Sequence, residues 1–82
     1  MPTVLRFRGF RFFFYSLDRG EPPHVHVAHD DRVAKFWLQP VRLARSDGFR
    51  DHELVELRLL VVDYAASFLE AWHEHFGSPG QL

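Results

Sequence analysis

The chain predicts an α+β domain, a small antiparallel sheet of about four strands packed on one long C-terminal α-helix, and three observations carry that prediction. Through the first half, apolar residues alternate with period two and are interrupted at Arg8-Gly9 and Asp30-Asp31, both of them turn-forming pairs. From Asp51 the period changes, and Leu54, Leu57, Val61, Tyr64, Phe68 and Trp72 recur at three- and four-residue steps. Nine Phe, two Trp and two Tyr among 82 residues, with no Cys, mean that aromatic rings rather than disulfides supply the core.

A domain of this length buries only about 60–65% of the surface its unfolded chain exposes, so the core is thin and partners are expected. Thr3 to Phe7 and residues 10–16 form a β-hairpin (two strands), joined where Gly9 accepts positive φ at little cost. The loop from Leu17 to Pro23 follows, ending in a Pro-Pro pair that enforces an extended chain. Two more strands come next, one starting at His24 and one over residues 33–38. Pro40 ends regular pairing, and Val41 to Phe49 reads as an irregular or single-turn link.

The helix spans Asp51 to Phe76, with Val55, Leu59 and Val62 widening its apolar stripe and a second chain expected on the wider edge. Asp51 is a candidate N-cap or first-turn acid, Glu53 and Glu56 suit the positive end of the helix dipole, and Gly77 stops the helix. The domain is therefore expected over residues 1–77, with 78–82 a flexible tail.

Several function classes are excluded at this level. Without Cys there is no thiol nucleophile and no thiolate metal site. A formal net charge of −1 argues against a protein built mainly to hold duplex phosphates. The longest aliphatic run, Leu59 to Val62, stops at Asp63, so no bilayer span is expected, and Arg6 and Arg8 interrupt any signal-peptide-like opening. A cytoplasmic location is the expectation.

The unusual chemistry lies between Glu21 and Leu38. On a strand, His24 and His26 point to one face and Val25 and Val27 to the other. Two imidazoles so placed could converge on a divalent metal, although two ligands do not complete a site. As one acid and one base, with Lys35, Arg42 or Arg45 on phosphate, they would instead suit RNA cleavage. The favoured reading is structural, with the rings hydrogen-bonded to Glu21 or backbone carbonyls and packed beside Trp37 and Trp72. No cofactor is expected, a His-ligated divalent metal being the minority alternative. Glu21, Trp37, Arg42, Arg45, Trp72 and His73 are the candidate partner or RNA contacts.

The order of Met1 to Arg6, Gly9 to Ser16, Glu21-Pro22-Pro23-His24-Val25-His26-Val27, Ala34 to Leu38 with Pro40-Val41, and Ala71-Trp72-His73-Glu74-His75-Phe76 resembles the bacterial domain-of-unknown-function 4160 family. The resemblance implies a component of a toxin–antitoxin-like pair, a protein-interaction module whose partner is a small protein of the domain-of-unknown-function 2442 type encoded by an adjacent gene. A homodimer and RNA are further candidate partners, and the alternative activity is that of a ribonuclease-like toxin. Members of the family begin the helix with Ser or Thr in a capping box; here Arg50 stands in that place before Glu53, leaving Asp51 as the alternative cap.

Overall fold

A computed structural model describes residues 3–77. Five strands, β1 (Thr3–Phe7), β2 (Phe10–Phe13), β3 (His24–His29), β4 (Arg32–Leu38) and β5 (Val41–Asp47), precede one helix, α1 (Asp51–Phe76). Each strand pairs antiparallel with the next, in the order β1-β2-β3-β4-β5. The two tight turns predicted from sequence are present. Arg8 and Gly9 both take positive φ, +50° and +84°, and close Phe7 against Phe10. Asp30, at φ +55°, turns His29 back onto Arg32.

Two expectations about the sheet are corrected. The strands number five rather than about four, because the stretch read as an irregular link is β5. Pro40 lies in the Gln39-Pro40 connection between the paired Leu38 and Val41, outside the ladder, where its missing N–H costs no hydrogen bond. Further along, Phe36 pairs with Leu43 while Lys35 pairs with Arg45, so Ala44 is the extra residue of a bulge. That bulge shifts the phase of the alternation, which is why the segment does not read as a strand. The second correction concerns β2, which ends at Phe13 rather than at residue 16. Ser16–Gly20 coil instead into a 3₁₀ turn, stabilised where Oδ2 of Asp18 accepts the Tyr15 N–H at 2.8 Å.

The helix covers one face of the sheet. Phe12, Val25, Val27, Ala34, Phe36 and Leu38 point toward it, and Leu57, Val61, Phe68 and Trp72 press back. Phe12 and Phe68 stack with centroids 5.3 Å apart. Full burial of such side chains contributes about 1.5–3 kcal/mol each. Leu54 and Tyr64 pack at the margin of this core, whereas Val55, Leu59 and Val62 are exposed, on the edge where the sequence reading expects a second chain.

Arg50, not Asp51, occupies the N-cap, and Asp51 is a first-turn acid. The Glu53 carboxylate accepts the Arg50 N–H at 2.8 Å, giving half a capping box. The other half is missing because a guanidinium has no acceptor for the N3 N–H. Arg32 donates to Glu53 at 2.7 Å and so ties β4 to the start of the helix. At the other end Gly77, at φ +90°, donates its N–H to the His73 carbonyl at 2.7 Å. The tail expected at 78–82 lies outside the described residues. No helix among the described residues is long and apolar enough to cross a membrane.

Candidate functional site

With the helix on one face, the other face of the sheet is closed by its own side chains and the 3₁₀ turn, with Trp72 of the helix reaching His24. His24 and His26 lie there opposite Trp37 and Lys35 of β4, with Phe13 of β2 beside His26. The 3₁₀ turn then lowers Asp18 onto the two rings. Oδ2 of Asp18 lies 3.0 Å from Nε2 of His26 and Oδ1 lies 3.1 Å from Nε2 of His24. Asp18 is only 7% exposed and His24 has no exposed surface.

His24 is fixed through Nδ1 and by the rings around it. Nδ1 sits 2.9 Å from the Pro22 carbonyl, which can only accept, so Nδ1 carries a proton. Despite its short distance to Asp18, the buried Nε2 has no partner in hydrogen-bonding alignment among the described residues. Trp37 and Trp72 both pack against the imidazole, with centroids 5.5 and 5.0 Å away. His26 stacks on Phe13 at 5.4 Å and meets the Tyr15 ring edge-on at 4.6 Å.

The electrostatics follow from this enclosure. Burial alone pushes the Asp18 carboxyl up, but the Tyr15 N–H and the two imidazoles more than offset it, and the group titrates below its ordinary range. Burial also dominates at His26, where it lowers the imidazole although the Asp18 charge works against it. Glu21 is lowered chiefly by the hydrogen bond from Lys35, which also lies 4.5 Å from the Trp37 ring.

Beside His26 is a recess of about 80 Å³, lined by Phe13, Tyr15, Lys35, Arg45 and Ser46 among others. It has room for a few water molecules or a small anion. Of the residues singled out from sequence, His24, His26, Lys35, Glu21, Trp37 and Arg45 therefore fall in one region. Arg42 is exposed on β5, paired with Trp37 in register. Trp72 is 5% exposed and packs on Phe14 and Phe76, so it belongs to the core and offers no contact surface. His73 lies on α1 outside the cluster, with its buried Nε2 unpartnered among the described residues. His29 is on the helix-facing side, against Phe10 and Arg32.

Asp18 is the residue that sequence reasoning missed. The signal available was an acid three residues beyond Tyr15, the spacing at which a carboxylate folds back on a backbone N–H.

No curated protein and no solved structure matches the chain. The family model described as Domain of unknown function (DUF4160) matches residues 9–73, which include the two histidines, Asp18 and most of the helix, and the chain belongs to that family.

Proposed function

We propose that this chain works by binding another protein, as the interaction component of a bacterial toxin–antitoxin-like pair, and that β5 is where the partner docks. The observation behind this reading is the state of β5. Among the described residues it pairs only with β4, it is seven residues long, and Arg42 to Asp47 are all exposed. Such an edge offers a row of backbone donors and acceptors to an added strand. Arg42 and Arg45 on that strand favour an acidic segment in the partner. The family resemblance supplies the candidate, the small protein of the domain-of-unknown-function 2442 type encoded alongside, with both acting in the cytoplasm. Co-expression in bacteria followed by size-exclusion chromatography tests it. Co-elution is expected with the wild-type chain and is lost in a folded Arg42→Glu/Arg45→Glu variant. Separate elution of the wild-type proteins, or a variant that still co-elutes, defeats the proposal.

The recess beside His26 favours a second reading, contact with an RNA phosphate through Lys35 and Arg45. In that reading His26 alone could touch substrate, since His24 is enclosed. Growth and total RNA integrity in cells expressing wild type or His26→Ala decide it. Arrest with RNA cleavage that the substitution abolishes supports an enzyme, and intact RNA in both strains removes it.

A further inference from the structure

We infer that Asp18, His24 and His26 form a binding site for one divalent transition-metal ion, of the Zn²⁺, Co²⁺ or Fe²⁺ kind, with its open side toward the recess beside His26. Three features of the cluster lead to it, and none depends on the partner reading above.

The first is the donor set. Each of the three residues offers one ligand atom, and these atoms lie within 4.8 Å of one another. Two ligands at about 2.0–2.1 Å from one ion can be at most about 4.2 Å apart, so small side-chain rotations bring all three into range. Two imidazole nitrogens with one carboxylate oxygen suit borderline divalent cations and leave coordination positions for water. Mg²⁺ and Ca²⁺, which require mostly oxygen ligands, do not fit this set.

The second is the unmatched nitrogen. With Nδ1 engaged by the Pro22 carbonyl, His24 directs its fully buried Nε2, which has no hydrogen-bond partner among the described residues, at the Asp18 carboxylate 3.1 Å away. A metal ion engages that nitrogen and the carboxylate at once and takes the place of any Nε2 proton on the two rings, which leaves to solvent.

The third is the support around the ligands. Metal-bound imidazoles characteristically donate their second N–H to a carbonyl or carboxylate, and the Nδ1–H of His24 does so to Pro22. The Tyr15 N–H orients the carboxylate through Oδ2. Trp37, Trp72, Phe13 and Tyr15 hold the two rings, so little side-chain entropy remains to be lost on binding.

The test uses the full chain without a histidine tag, stripped with a chelator and titrated with Co²⁺ while visible absorption is recorded. Ligand-field bands of a low-coordinate site should grow to one equivalent and collapse when Zn²⁺ is added. Asp18→Asn, which keeps an acceptor for the Tyr15 N–H, and His26→Ala should each weaken binding by about 100-fold or more. His52→Ala and His75→Ala, at exposed helix positions, should leave it unchanged. Imidazole ¹H–¹⁵N spectra of the wild-type chain guard against variants that fail to fold, since one equivalent of Zn²⁺ should shift His24 and His26. Absence of the bands in folded wild-type protein, equal binding by the Asp18 and His26 variants, or shifts at His52 or His75 instead would each overturn the site.

Discussion

The two faces of β3 solve the same problem by different means. Val25 and Val27 face the helix and are buried by many interchangeable apolar neighbours, Phe12, Ala34, Phe36, Leu57 and Val61 among them. His24 and His26 face the other way and are enclosed by a short set of specific contacts: one carboxylate, one backbone carbonyl, and four aromatic rings. Dispersion and apolar burial are non-directional, so a loss on the helix side scales with the volume removed. A buried polar cluster is directional, and a loss there scales with the number of groups left unpaired.

The largest effect should come from the helix side. Phe36 has no exposed surface and sits centrally in that layer, so Phe36→Ala should cost about 3–5 kcal/mol. Against a total of about 5–15 kcal/mol for a domain, that removes much of the stability. Urea unfolding followed by far-UV circular dichroism measures it, and a loss under about 1 kcal/mol would show that the layer is not the principal core.

A finer division appears along the helix itself, where one residue type occupies both environments. Leu57 is 1% exposed and Leu59 is 54% exposed. Leu57→Ala should cost about 2–5 kcal/mol, while Leu59→Ala should stay within about 0.5 kcal/mol in the isolated chain. Equal losses would mean that the exposed stripe Val55, Leu59, Val62 is covered in solution.

On the histidine side, Asp18→Ala removes the acceptor of the Tyr15 N–H and of His26 together. Leaving such buried donors unpaired should cost about 1–3 kcal/mol in metal-free protein. The same urea titration checks it, and an unchanged midpoint would mean that water replaces the carboxylate at no cost.

These contrasts also explain what the sequence made legible. The alternation of His24, Val25, His26 and Val27 reports which residues share a face, and the helical steps of Leu57, Val61, Phe68 and Trp72 report the covered stripe, because both follow from backbone period alone. β5 was hidden because the bulge at Ala44 breaks its period and its pairing is supplied by β4, a tertiary contact. Asp18 was hidden for a related reason. A carboxylate reaches a histidine pair six residues further on only through the geometry of a 3₁₀ turn, which local composition does not encode.

The smallest expected effect lies where the helix-covered layer meets its own polar edge. Glu53 is held below the ordinary carboxylate range, first by the Arg50 N–H and then by the charge and hydrogen bond of Arg32. As pH falls, the unfolded chain therefore takes up the Glu53 proton before the folded one does, and stability declines. This contribution is complete above the ordinary Glu value of about 4.3 and is lost as pH drops through the folded value. Glu53→Gln keeps an acceptor for the Arg50 N–H but removes the titration. The variant should be slightly less stable at neutral pH, and its curve should meet that of the wild type in strong acid. Asp18 also titrates in that range, but it is present in both proteins, so the difference curve isolates the helix end from the histidine face. Parallel curves across the acid limb would show that Arg32 and Arg50 do not hold the Glu53 charge in the folded chain.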